Sequence, residues 1–276
     1  MGGADKFLSS SHFRRIYFSY LIMMYWFVFC KGDLLLTVNN EVPVSVEAPV
    51  HLEPWHRIQV LPQLNGHDCR AVRIDAPVVD EHFKMMGLRE TFDVLPADVY
   101  LMAGKAKELL YWDECTKFCG VCGAPMKMHT DISKRCTNCG KEVWPSLATA
   151  IIVAISKGDE ILLVQSKNFR GDYMGLVAGF VETGETLEEC VHREVMEETH
   201  LRIKNLKYFA SQPWPYPSGL MVGFTADYES GEFHLQRTEL NKGGWFRYDN
   251  MPAIPGKVSL ARRLIDHWMS RFDKHL

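Results

Sequence analysis

Two clusters of side chains in this 276-residue chain have types and spacing suited to chemistry. The first is an acidic run beside an arginine, Arg193-Glu194-Val195-Met196-Glu197-Glu198, preceded by Gly179 and Glu185. Thr186 and Glu189 fit a capping box, which predicts a helix over about 186–199. At ~100° per residue, Leu187, Val191, Glu194 and Glu198 fall along one stripe of that helix, with Glu197 on its flank. Two carboxylates therefore continue a line of residues that should pack inward. Burying them is costly unless cations meet them, and oxygen donors suit hard divalent ions such as Mg2+ or Mn2+. On the glutamates alone, an exposed acidic helix end is the competing explanation.

The second cluster is Cys119, Cys122, Cys136 and Cys139, two C-x2-C knuckles with 13 residues between them. Each knuckle lets two thiolates converge from a tight turn, and together they complete a tetrahedral S4 set for Zn2+. With no coordination position left open, that zinc is structural, one per subunit. Redox-active dithiols or free thiols are the alternatives, and the glycines at 120, 123 and 140 favour the metal. Few basic residues surround the knuckles (Lys127, Lys134, Arg135 and Lys141), so a scaffold is expected rather than a nucleic-acid reader. The other cysteines, Cys30, Cys69, Cys115 and Cys190, are scattered, unlike a secreted disulfide framework. A reducing, cytoplasmic setting is the expectation.

The elements that must position these groups belong to an α+β chain of two or three domains. The composition, 47% apolar and 24% charged with a net charge of −3, excludes disorder and argues against a broad footprint on duplex nucleic acid. Residues 1–23 read as a leader, possessing no small-residue cleavage site. The apolar run 16–30 is shorter than the ~20 residues of a membrane span, so a buried strand is expected and no membrane partner. Residues 24–112 form an N-terminal α+β domain, with strands near Trp26–Phe29 and Leu34–Val38 and a helix over Ala97–Leu110. Residues 113–145 form the zinc ribbon, and 146–276 a third domain. There, Ala150–Ile155 and Ile161–Gln165 flank Lys157-Gly158-Asp159 as a hairpin. Strands follow at Leu176–Phe180, Leu206–Ala210, Leu220–Tyr228 and Trp245–Tyr248, with a closing helix near Val258–Phe272. No internal repeat is evident.

The joint pattern Gly179-x5-Glu185-x7-Arg193-Glu194-Val195-x-Glu197-Glu198, followed by Leu201, resembles the signature of Nudix hydrolases. One position departs: His200 stands where that family has glycine. Downstream, Ser211-Gln-Pro-Trp-Pro-Tyr-Pro217 closely resembles the array of the NADH pyrophosphatase branch, and so does the order of domains. In that branch a serine follows one residue later, where this chain has Gly219 after Ser218.

The resemblance implies a Nudix α/β/α sandwich with a mixed sheet behind the ribbon. It implies hydrolysis of the pyrophosphate of NAD(H) to NMN(H) and AMP, and removal of NAD caps from RNA 5′ ends. It also implies Mg2+ or Mn2+ held by Glu194, Glu198, Glu239 and the Ala178 carbonyl. Glu197 would bind metal or activate water, and Arg193 would orient the carboxylates through Glu185. Phe180 and Trp144 would sandwich adenine across a homodimer. The segment Gln212, Pro213, Trp214, Pro215, Tyr216, Pro217, Ser218 and Gly219, with Ala261, would contact the nicotinamide half, and Arg89 would reach the substrate from the N-terminal domain. A Nudix hydrolase for ADP-ribose or a diadenosine polyphosphate, or a non-hydrolysing binding module, are the competing readings. The array opposes the first and the complete set of carboxylates opposes the second.

Overall fold

In the run Met24–Cys30, apolar side chains fill nearly every position, the pattern of a strand covered on both faces. A computed structural model describes residues 23–169 and 171–272, and there this run is the central strand β1 of a six-stranded sheet. Apart from Met23, the expected leader 1–23 lies outside the described residues. The first sheet continues with β2 (Asp33–Thr37), β3 (Val44–Ser45), β4 (Ile58–Leu64), β5 (His67–Arg73) and β6 (Phe83–Gly87). Helix α1 (Ala97–Cys115) then packs on one face, where Val99, Ala103, Ala106 and Leu110 meet Phe27, Phe29 and Leu36. Three short strands, β7 (Met126–Thr130), β8 (Ser133–Cys136) and β9 (Glu142–Val143), make the ribbon sheet.

The last part holds β10 (Ala148–Lys157), β11 (Glu160–Ser166), β12 (Val177–Phe180), α2 (Leu187–Thr199), β13 (Arg202–Pro213), β14 (Gly219–Ser230), β15 (Leu240–Arg247) and α3 (Leu260–Met269). Alternation along β10 separates two cores: Ile151, Val153 and Ile155 pack with Val191 and Val195 of α2, while Ile152 and Ala154 pack with Leu264, Ile265 and Trp268 of α3. The mixed sheet is thus the middle layer of an α/β/α sandwich. The β10–β11 hairpin turns at Gly158, which needs a positive φ of 64°. Strand β15 begins well before Trp245. The pair Gly243-Gly244 hides its start in the sequence, and a Cβ at 243 would stand 2.9 Å from the Phe233 ring. Among the described residues, no helix is long and apolar enough to cross a membrane.

The two large sheets share one topology, contrary to the expectation of no internal repeat. The order β4-β5-β1-β2-β6 with β3 on β1 is the order β13-β14-β10-β11-β15 with β12 on β10. In each, one pair is parallel (β1–β5, β10–β14) and every other pair is antiparallel. Backbone pairing and layer packing define this repeat, and different apolar side chains satisfy both equally well, so no residue-level repeat betrays it. What differs is the insertion between the third and fourth strands. The second unit has α2 there, whereas residues 46–57 of the first form no helix.

Candidate functional site

Helix α2 starts as its capping box requires. Glu189 N–H donates to Thr186 Oγ1 (3.2 Å), and Thr186 N–H donates to Glu189 Oε2 (2.8 Å). It ends at His200, which takes the left-handed conformation (φ 59°) that glycine would adopt without strain, and caps through its N–H to the Met196 carbonyl. The departure at this position therefore preserves the backbone path. Between these ends, Val191 and Val195 pack inward and carry Glu194 and Glu198 with them, leaving both largely buried at 9% and 6% exposure. Glu197 points outward on the same helix, and Glu239, just before β15, is exposed at the opposite wall.

Arg193 binds several of these groups at once. Its Nε and Nη2 donate to the two carboxylate oxygens of Glu185 (2.5 and 3.0 Å), Nη2 also to the Phe180 carbonyl (3.0 Å), and Nη1 to Glu194 Oε1 (2.8 Å). The fork holds the Glu185 carboxyl down at about 2. Gly179 is required by proximity: a Cβ there would lie 2.0 Å from the Glu194 carboxyl carbon. Among the described residues, Glu198 has no comparable cation. Burial, then the charges of Glu194, Glu239 and Glu197, push its carboxyl up to about 8, and its Oε2 is buried without a hydrogen-bond partner. Excess negative charge with an orphaned hard oxygen fits a divalent cation bound through oxygen.

The carboxylates lie at one end of a two-part cleft. A cavity of about 530 Å3 is lined by Glu194, Glu198, Glu239, Ala178, Phe180 and, from the turn after β13, Trp214 and Tyr216–Gly219. A second, of about 400 Å3, shares Phe169, Leu176, Ala178, Trp214 and Met221 with it and continues to Gln212, Ala261 and Arg89. This second part is apolar and aromatic, and among the described residues Arg89 is the charged one in its wall. The Arg89 guanidinium sits 5.1 Å from the Trp214 ring and 4.6 Å from that of Tyr216, so the N-terminal domain contributes directly to the cleft.

In the ribbon, one sulfur atom from each of Cys119, Cys122, Cys136 and Cys139 lies within 4.8 Å of all the others. The closest pairs, Cys119–Cys139 (3.6 Å) and Cys122–Cys136 (3.5 Å), are too far apart for disulfides. Backbone N–H groups approach the knuckle sulfurs, as at Val121 to Cys119 and Asn138 to Cys136 (both 3.4 Å). The Ala124 N–H and then the Cys136 sulfur lower the Cys122 thiol to about 6. The Cys139 thiol of the same set is instead pushed up to about 12 beside the other sulfurs, so zinc, when bound, would have to displace that proton. Lys134, fully buried, donates to the carbonyls of Asp113 (2.7 Å) and Thr116 (3.2 Å) at the end of α1. One of the basic residues near the knuckles thus fastens the ribbon to α1 and is withdrawn from any partner.

Comparison with known proteins agrees with this geometry. Residues 145–268 match the NUDIX domain model, residues 116–143 the NADH pyrophosphatase zinc ribbon domain, and residues 24–112 the NADH pyrophosphatase-like rudimentary NUDIX domain. The NAD-capped RNA hydrolase NudC of Haemophilus influenzae (strain PittGG) is 38% identical over 246 residues, covering 87% of this chain and 91% of that protein. The chain belongs to the NADH pyrophosphatase family of Nudix hydrolases. The NAD-capped RNA hydrolase NudC of Yersinia pestis (strain Pestoides F) is 44% identical over 183 residues, 66% of this chain and 70% of its own. A solved NUDIX hydrolase from Nitrosomonas europaea has 21% identity and a TM-score of 0.49, covering 58% of this chain and 94% of that one. The four-cysteine ribbon of this hydrolase is a structural zinc site.

Of the residues singled out in the sequence, Glu194, Glu198, Glu239, Ala178, Phe180 and Trp214–Gly219, apart from Pro215, line the hydrolase's first cavity, and Gln212, Ala261 and Arg89 the second. Pro213 and Pro215 line neither, and Pro215 is buried against α1. The Gln212 amide is engaged on both sides, accepting from Leu260 N–H and donating to the Val258 carbonyl (2.7 Å each). Its polar group fastens the start of α3. Trp144 and Phe180 are not core residues; they are 56% and 66% exposed. Sequence reasoning missed Phe169 and Tyr173, stacked at 4.8 Å with Phe169 shared by both cavities. Their signal was an aromatic pair flanking Gly171 in the loop before β12.

Proposed function

We propose that this enzyme hydrolyses the pyrophosphate of NAD(H), giving NMN(H) and AMP, and cleaves the same bond in NAD caps at RNA 5′ ends. The observation that carries the reading is the two-part cleft, with carboxylates at one end and an apolar, aromatic pocket under Arg89 at the other. The polar end suits a diphosphate with its cations, and the aromatic end suits a flat ring. The relatives named NAD-capped RNA hydrolase support the RNA form of the substrate.

Glu194, Glu198, Glu239 and the Ala178 carbonyl would hold Mg2+ or Mn2+, which when bound offsets diphosphate charge and acidifies a water. Arg193, fixed by Glu185, holds the Glu194 carboxylate in place, and the exposed Glu197, which accepts from Arg193 Nη1 at 3.4 Å, would take a proton from the attacking water or join the metal set. Exposed Phe180 and Trp144 support a homodimer in which each waits for adenine beside a second copy. The unbridged cysteines support a reducing, cytoplasmic location. Product analysis with NADH, NAD, ADP-ribose and NAD-capped RNA under Mg2+ or Mn2+ tests the proposal. NMN or NMNH is the expected product from NADH, NAD and NAD-capped RNA, and its absence from all three of these reactions would exclude this function.

A further inference from the structure

The loop joining β13 to β14, residues 214–218, forms one wall of the cleft, yet little within its own domain holds its tip. Its base closes through Trp214 N–H to the Gly219 carbonyl (2.8 Å), and Ser218 Oγ donates sideways to the Ser146 carbonyl (3.1 Å). The tip instead rests on the N-terminal domain. Pro215 packs where α1 has a glycine, and a Cβ at Gly104 would stand 3.3 Å from the proline ring. The Tyr216 ring lies between Arg89 and Lys107 (4.6 and 4.7 Å), and its hydroxyl is 3.2 Å from that of Tyr100.

One turn beyond Gly104 on the same face of α1, Glu108 Oε1 accepts from the Gly219 N–H at 3.3 Å. Gly219 has no room for a side chain of its own, since a Cβ would meet the Ala148 carbonyl at 3.0 Å. Its N–H is therefore the handle by which this corner is held. Glu108 is half-buried, and burial pushes its carboxyl above the usual carboxylate range, an effect that the Gly219 N–H and the field of Lys105 offset only in part. A carboxylate so placed stabilises little by itself, and the geometry it enforces is that of the loop.

We propose that Glu108 is a positioning residue for the nicotinamide half of the substrate: by holding the Gly219 N–H, α1 of the N-terminal domain keeps loop 214–218, and with it the Trp214 face of the cleft, in its binding shape. The proposal rests on the NAD(H) reading above, and gives the helix-poor copy of the fold a task in substrate binding.

Calorimetric binding of NMN and of AMP, in Mg2+ buffer and with the full-length chain, tests it without reliance on turnover. Glu108→Ala removes the acceptor and should weaken NMN by about 5- to 20-fold while leaving AMP within about twofold. Glu108→Gln retains an acceptor oxygen and should bind NMN within about twofold of the parent. In kinetics, E108A should raise KM for NADH with kcat nearly unchanged, whereas simple loss of folded enzyme would lower kcat. If E108A does not fold, Tyr100→Phe removes the hydroxyl contact to the same loop and should weaken NMN about two- to fivefold. An E108A enzyme that binds NMN like the parent, or loses NMN and AMP alike, overturns the proposal alone. So does an E108Q as weak as E108A. A parent that binds no NMN overturns it together with the substrate reading.

Discussion

Glu198 offers a test of the metal site that needs no substrate. Its carboxyl, ordinarily near 4.5, is pushed up to about 8 by burial and by three neighbouring carboxylates. A folded-state value raised in this way means that the folded protein binds the proton more tightly than the unfolded chain. Stability is then full below about 4.5 and is lost as pH rises toward 8. At 1.36 kcal/mol per pH unit the whole span amounts to about 5 kcal/mol. Between pH 5.5 and 9, with relaxation and water entry reducing the effect, about 2 kcal/mol should be measurable, or ~4–8 °C in melting temperature.

Glu198→Gln keeps the shape and removes the charge. The assay is thermal melting of both proteins in metal-depleted buffer, with ribbon zinc retained as judged by elemental analysis. The parent should lose about 2 kcal/mol more than E198Q across that pH range. Saturating Mn2+ should restore the parent at pH 9 and affect the variant far less. Identical pH dependence in the two proteins, or equal stabilisation by Mn2+, would refute the assignment of Glu198 as a buried carboxylate awaiting a cation.

Three further outcomes follow from particular contacts. Gly179→Ala places a methyl group within 2.0 Å of the Glu194 carboxyl carbon, so Glu194 must swing away; kcat for NADH should fall at least ~10-fold while circular dichroism stays unchanged. Lys134→Met removes the buried ammonium that joins the ribbon to Asp113 and Thr116, and should cost about 2–4 kcal/mol in denaturant unfolding. Cys136→Ser should release zinc, read by a chromogenic chelator, and increase proteolysis within residues 116–143.

How much of this was legible beforehand varies with the reach of the interaction. The capping box at Thr186, the inward stripe of Glu194 and Glu198, and the Lys157-Gly158-Asp159 hairpin depend on neighbours within one or two turns, and the structure agrees at each. The positive φ of His200 likewise follows from its place after the last turn of α2. Gln212 and Pro215 show the limit. Both belong to a recognisable array, but which atoms face the cleft depends on Val258, Leu260 and Gly104, far away along the chain.

The sequence by itself determined the chemistry: a helix that buries carboxylates, a tetrahedral thiolate set, and the family those two features identify together. Periodicity and local spacing carry that information because helices and knuckles close over a few residues. Only the tertiary structure decided that residues 24–112 repeat the catalytic fold without its acidic helix, and that α1 and Arg89 of this copy support the substrate cleft. Strand order and interdomain contacts are set by packing between distant segments, where many apolar sequences satisfy the same topology. The part the N-terminal domain takes in the cleft is therefore seen only in contacts between distant segments, Arg89 with Trp214 and Tyr216 and Glu108 with Gly219.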